Sequence, residues 1–123
     1  MPEYRRVLSA TIANGQSLSG AVNLYGVRIA GLIFPAAWTL TGSGQFVSFE
    51  VSIDAATFYP LLDSAGNVVT VGVTVGAAVG PSPGFSTLAS PWLAIKVRSG
   101  LPADPVAQGA ERVIQVVSLP GVN

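Results

Sequence analysis

The residues that could carry chemistry are few in this chain. Its 123 residues include no histidine and no cysteine, and only six acidic and six basic side chains. Most side-chain catalysis near neutral pH uses a histidine, a thiolate, a pair of carboxylates or a metal site. Because the first two groups are absent, carboxylate pairs, serines and hard-cation sites are the sources of reactivity left to consider.

The carboxylates are badly spaced for glycoside hydrolysis. Glu50 and Asp54 fall on one face of a predicted strand, four residues apart. A strand rises about 3.3 Å per residue, so they lie about 13 Å apart, beyond the roughly 5 to 10 Å that a glycosidase pair needs. Asp54 and Asp63 could meet across a hairpin, which keeps a carboxylate dyad open. The simpler interpretation of Asp63 is a side-chain cap on its own turn.

Serine, phosphate and calcium templates also fail. The segment Gly84-Phe85-Ser86-Thr87-Leu88 starts like a nucleophile elbow but lacks the closing glycine, and the chain has no histidine base. Gly42-Ser43-Gly44 opens like a dinucleotide loop, yet a strand follows where a helix is needed. Asp63 and Asn67 offer far fewer oxygens than calcium requires. We therefore predict no enzyme, no cofactor and no metal site.

Composition points to one domain with an unusual surface. A length of 123 residues suits a single domain over residues 1–123. Only 10% of the residues are charged, against about 25% in an average soluble protein. Either a Ser/Thr/Gly surface faces water, or apolar surface is covered by another chain. The net charge is zero and Arg5-Arg6 is the only adjacent basic pair, so we predict no nucleic-acid partner. The uncharged run 29–49 is interrupted by Pro35 and Gly42, and the run 68–80 is shorter than the roughly 20 residues that span a bilayer, so we predict no membrane partner.

Hydrophobic residues recur with a period of two. In residues 47–54 the odd-numbered side chains, Val47 to Ile53, are predicted in the core and the even-numbered ones in water. Residues 7–12, 69–75 and 93–98 alternate in the same way. The pattern predicts an all-β fold, an antiparallel, jelly-roll-like β-sandwich of about seven or eight strands.

Two other segments, 27–34 and 112–119, are apolar on both faces, with few charges. Such strands are central in a sheet, or are covered on both sides, and a neighbouring subunit could form the outer cover. Between the strands, residues 76–91 and 100–109 are rich in Gly and Pro. Both are therefore predicted to be surface loops.

Several short motifs occur in a recognisable order. They are Leu24-Tyr25-Gly26-Val27, Phe34-Pro35-Ala36-Ala37-Trp38, Phe58-Tyr59-Pro60-Leu61-Leu62-Asp63 and Ile95-Lys96-Val97-Arg98-Ser99-Gly100. In this order they resemble a group of small virion proteins of tailed bacteriophages: capsid-decorating (cement), head-spike and fibre-associated proteins. The resemblance implies a β-sandwich with a structural role and no catalysis. The glycine-rich 73–91 segment departs from the group and is a candidate contact element.

We therefore expect a structural protein on the surface of a phage particle, made in the host cytoplasm. Its expected partners are further copies of itself, with a trimer and a pentamer both compatible, and the major capsid protein or another virion protein. Interfaces enrich aromatic residues and arginine. The candidate interface residues are Tyr4, Arg5, Arg6, Trp38, Phe85 and Trp92.

The alternative is a carbohydrate-binding module of a phage fibre that binds a host receptor. Its candidate sugar-stacking rings are Tyr25, Trp38, Tyr59 and Trp92. For the two tryptophans, a place at the rim of the core with the indole N–H hydrogen bonded is the simpler interpretation.

Overall fold

A computed structural model describes residues 6–24, 27–80 and 92–119, and of Arg6 it describes the main chain alone. These residues form an all-β structure of two antiparallel sheets, with one short 3-10 turn at Gly42–Gln45. The ten strands within them are β1 (Arg6–Ile12), β2 (Val22–Asn23), β3 (Arg28–Ile33), β4 (Phe46–Ser52), β5 (Tyr59–Pro60), β6 (Val71–Gly72), β7 (Ala78–Val79), β8 (Ala94–Leu101), β9 (Asp104–Pro105) and β10 (Arg112–Leu119).

The first sheet has four strands in the order β1-β10-β3-β7. β1 runs against β10 in one unbroken register, from Arg6 opposite Ser118 to Ile12 opposite Arg112. Between β10 and β3 the register shifts after Val117, where Ala30 is the additional residue of a bulge. β7 pairs only with the end of β3.

The second sheet has six strands built on one long pair. β4 and β8 pair from Val47 opposite Ser99 to Ser52 opposite Ala94. Short strands complete both sides of this pair: β2 and β9 lie along β8, and β5 and β6 lie along β4. The long pair therefore has neighbours on both sides.

The core lies between the two sheets, and the alternating patterns predicted most of it. The inward residues of three strands are buried as expected: Ala10 and Ile12 in β1, Val47, Phe49 and Val51 in β4, and Ile95 and Val97 in β8. At one end the rings of Phe34 and Trp38 meet edge to face, with centroids 5.8 Å apart. The predicted all-β, antiparallel character is confirmed.

The even-numbered positions of β4 differ from the prediction. Ser48 and Ser52 are fully buried instead of facing water. Their hydroxyls have protein partners, because Ser48 Oγ donates to the carbonyl of Gly100 and Ser52 Oγ donates to Asp54. Ile53 was predicted in the core but is 73% exposed, since β4 ends at Ser52 and the chain turns there.

Several strand boundaries also differ. The alternation over 69–75 yields only the two-residue strand β6, and the chain turns near Gly76, which has φ +66°. Within the described part of the predicted 76–91 loop, residues 78 and 79 form β7, and the predicted 100–109 loop contains β9. The described residues thus hold ten strands against the seven or eight expected from the sequence. Five of them have only two residues, too few for a periodic pattern to reveal.

Candidate functional site

The outer surface of the four-stranded sheet carries no charge across its centre. It presents the side chains that alternate with the buried ones, and we call this set the uncharged face. Its members are Val7, Ser9 and Thr11 of β1, Val113, Gln115 and Val117 of β10, and Gly31 and Ile33 of β3. Val7 is 56% exposed and Val113 is 40% exposed. Apolar side chains therefore stand in solvent on this face, and the charged side chain at an outward position of β3 is the exposed Arg28, which lies opposite Leu119 at one end of the sheet.

The centre of this sheet is formed by the two segments predicted to be apolar on both faces. They lie side by side as β3 and β10, with neighbours on both edges, so the prediction that they are central strands is confirmed. Their inner residues Ile29, Leu32, Ile114 and Val116 are fully buried. No layer formed by the described residues covers the outer apolar residues.

A shallow depression marks the uncharged face near β7. Its volume is about 240 Å³, and its lining includes Gly31, Ile33, Ala78 and Val117. The depression lies at Gly31, which lacks the side chain that would otherwise project between Ile33 and Val117. The arrangement can accept an apolar side chain from another molecule, and it offers no titratable group for chemistry.

The outer surface of the six-stranded sheet is built differently. Arg98 of β8 is 8% exposed and donates from Nη2 to the carboxylate of Glu50 on β4. Lys96 Nζ lies 4.4 Å from the centroid of the Phe58 ring. The charges on this face are thus matched within the chain. Nη1 of Arg98 is buried without a hydrogen-bond partner among the described residues.

One end of the sandwich holds a buried polar network centred on Gln108, which is 1% exposed. Its Oε1 accepts from the amide of Thr39 at 2.8 Å and from Nε of Arg112 at 3.0 Å. Its Nε2 donates to Ser99 Oγ at 2.7 Å. The side chain therefore ties both sheets to the loop at Thr39, which is a structural role. Nothing in the periodic pattern distinguishes Gln108 from a loop residue, and the sequence reasoning missed it.

The two aspartates considered for catalysis act as caps. Asp54 Oδ1 accepts from the amides of Ala56 and Thr57, each at 2.9 Å. These hydrogen bonds, the one from Thr57 foremost, lower the pKa of Asp54. Asp63 Oδ1 accepts from the amides of Ala65 and Asn67, so the cap predicted for its turn is confirmed. Within residues 6–24, 27–80 and 92–119, no three carboxylates are grouped to hold a metal ion.

The predicted interface residues fall into three groups. Trp38 is 8% exposed and donates from Nε1 to the carbonyl of Gly44 at 2.9 Å, so its ring is part of the core. Trp92 is half-buried and packs against the core. Arg6 begins β1. Tyr4, Arg5 and Phe85 lie outside the described residues.

The predicted sugar-stacking rings that the structure describes differ in exposure. The buried Trp38 offers no free ring face to a sugar, whereas Tyr59 is 58% exposed on β5. Tyr25 lies outside the described residues. The residues Ser9, Thr11 and Gln115 were not singled out from the sequence. Their signal is that uncharged polar residues, together with valines, occupy the outward positions of β1 and β10, where a half-buried strand usually places charge.

Comparisons with protein-family models, with curated proteins and with solved structures gave no match to this chain. In the part of the chain that the structure describes, no helix is long and apolar enough to span a membrane.

Proposed function

We propose that this chain is a structural, jelly-roll-like β-sandwich protein of a tailed-bacteriophage particle. It assembles with further copies of itself and attaches to the major capsid protein or another virion protein, as a decoration (cement) protein or as the base of a head spike. The observation that carries the proposal is the uncharged face. Its apolar side chains are exposed in the single chain and are suited to burial by a neighbour.

The composition of the uncharged face fits an interface more closely than a free surface. The centres of stable interfaces are depleted in charge and enriched in apolar area. Val7, Val113 and Val117 supply apolar area, while Ser9, Thr11 and Gln115 can form hydrogen bonds at modest desolvation cost. On a particle with many equivalent sites, weak contacts of this kind add up through avidity.

The other groups on the molecule support a structural role rather than a catalytic one. Asp54 and Asp63 are occupied as turn caps, and Arg98 is occupied by Glu50. The order of the sequence motifs, which resembles that of small tailed-phage virion proteins, is what points to a particle as the place of assembly.

The test is the composition of purified particles. Tailed particles from the phage or prophage that carries this chain are banded by density, stripped of loosely bound protein with high salt, and quantified by mass spectrometry. The expected result is this chain at a fixed, high ratio to the major capsid protein. A host cytoplasmic protein of similar abundance serves as the contamination control. Absence of the chain from salt-washed particles would overturn the proposal.

A further inference from the structure

The edge strands of the two sheets are unequal in length. β1 is an edge of the four-stranded sheet and has seven residues. The other ends of the two sheets, β7, β2 and β5, have two residues each. Short edge strands are one of the devices by which proteins avoid unwanted strand pairing. β1 is the exception among the described edges.

The free edge of β1 presents unpaired backbone groups. The carbonyl of Thr11 accepts from the amide of Gly20 at 3.3 Å, on the side of β1 away from β10. In an antiparallel ladder the backbone groups of alternate residues point to the same side. The amides and carbonyls of Val7 and Ser9 therefore also point away from β10. Among the described residues, none donates a hydrogen bond to these groups or accepts one from them on that side.

Beyond its first residue, β1 lacks the usual protection of an exposed edge. It begins at Arg6, and residues 7–12 read Val-Leu-Ser-Ala-Thr-Ile, with no charge and no proline. Its register with β10 runs without a bulge. A stretch of edge strand without charge, proline or bulge is a template for an added strand.

We propose that β1 is the pairing strand for β1 of a second copy of this chain, antiparallel and about a two-fold axis. In the register that uses the free groups, Val7 faces Ser9 of the second copy and Ser9 faces its Val7. Leu8 then lies opposite the second copy's Leu8. That contact covers a side chain that is only half-buried against the core of the single chain.

The lengths of the edge strands favour β1 of a second copy, rather than another strand, as the pairing partner of β1. A head-to-tail ring, such as a trimer or pentamer, would have to pair β1 with a different edge. The other ends of the two sheets offer only two residues each. Pairing of β1 with β1 of a second copy joins two strands of equal length and forms a closed dimer. It also joins two uncharged faces into one continuous surface. The proposal rests on the self-assembly in the proposed function and adds the strand through which it begins.

The experiment is residue-resolved amide hydrogen exchange, measured by NMR on dilute and concentrated protein. We expect the Val7 and Ser9 amides to exchange at least about tenfold more slowly in the concentrated sample, because pairing gives them acceptors. The Leu8 and Ala10 amides, which point toward β10, serve as internal controls and are protected in both samples. Contact across the uncharged face gives no acceptor to the lateral Val7 and Ser9 amides.

Variants at Ser9 complete the test. Ser9→Lys places a charge on the edge, and Ser9→Pro removes the outward amide. In both variants the Val7 amide should exchange rapidly at either concentration, while Ser9→Ala behaves as wild type. Fast exchange at Val7 and Ser9 in concentrated wild type, or retained protection of Val7 in Ser9→Lys, overturns the β1 proposal. If wild type self-associates although its Val7 and Ser9 amides exchange fast, the β1 proposal fails while assembly through the uncharged face stands. Failure of the β1 proposal is therefore distinguishable from failure of the proposed function.

Discussion

The two sheets of this protein use their outer faces in opposite ways. On the six-stranded sheet, Arg98 is paired with Glu50 and Lys96 lies over the ring of Phe58. On the four-stranded sheet, the outward positions of β1 and β10 carry no charge, and Val7 and Val113 are exposed. The first face is completed by its own chain. The second face exposes apolar side chains that the described residues do not cover.

This difference shows how the few charged residues of the chain, 10% of the total, are distributed between the two outer faces. Among the described charges, Arg98 pairs with Glu50, and Asp54 and Asp63 cap turns. The outward positions of β1 and β10 carry no charge, and the exposed Arg28 lies at one end of the same sheet.

The largest expected effect is on the internally completed sheet, at Gly100. Its φ is +91°, and an added Cβ would lie 2.5 Å from the carbonyl oxygen of Asp104. Gly100→Ala should lower the free energy of unfolding by about 3 kcal/mol, from backbone strain and this clash. Urea unfolding measures it. Gly72→Ala is the matched control, because nothing lies within 4 Å of its added Cβ. Equal stability of the two variants would contradict the geometry.

The next effect tests whether Arg98 depends on its partner. Glu50→Ala leaves the guanidinium, 8% exposed, without its carboxylate. Removing one member of a buried pair costs about 3 kcal/mol, whereas replacing both with apolar residues is often neutral. We expect thermal unfolding to show a large loss for Glu50→Ala and recovery in the double variant Glu50→Leu with Arg98→Met. Gln115→Ala on the uncharged face should change stability by less than about 0.5 kcal/mol.

A loss as large for Gln115→Ala as for Glu50→Ala would remove the contrast between the faces. A double variant no more stable than Glu50→Ala would also contradict the account, because the destabilisation would then not come from an unpaired Arg98.

A smaller effect concerns the cap at Asp54, whose pKa in the folded protein is lowered below the ordinary 3.8 by the amides of Thr57 and Ala56. A lowered folded-state pKa means that the stabilising contribution is present above the unfolded pKa and is lost as the pH falls through the folded value. Asp54→Asn should therefore be less stable than wild type at pH 7, with the gap closing below about pH 3.8. Thermal unfolding over pH 2 to 7 measures the gap, and a gap that persists at the acid end would refute the assignment.

The alternating pattern predicted the two-sheet, all-β structure because buried residues such as Phe49 and Val97 are flanked in sequence by polar residues that point outward. It failed where hydrogen bonding decided burial. Ser48 and Ser52 look like solvent-facing positions and are buried, because Gly100 and Asp54 supply partners that lie distant in sequence or beyond the strand end. A period of two contains no information about such partners.

The candidate surface was predicted only in part. The sequence indicated that β3 and β10 were apolar on both faces, and the structure places them together. It could not show that β1 would join them at an edge, because strand order depends on long-range pairing. The interface residues chosen from composition included Trp38, which belongs to the core through its hydrogen bond to Gly44. Residue type alone does not separate a core aromatic from a surface one.

The central claim is that the uncharged face is an interface between copies, and sedimentation velocity over a wide concentration range tests it most directly. Val113→Glu puts a charge on this face, and Leu62→Glu is the control at a site of similar exposure just beyond β5 of the other sheet, 46% against 40%. We predict that wild type and Leu62→Glu self-associate to the same extent at each concentration, while Val113→Glu forms smaller species than either. A wild type that stays monomeric over the whole range, or a Val113→Glu protein that assembles like wild type, would contradict the account.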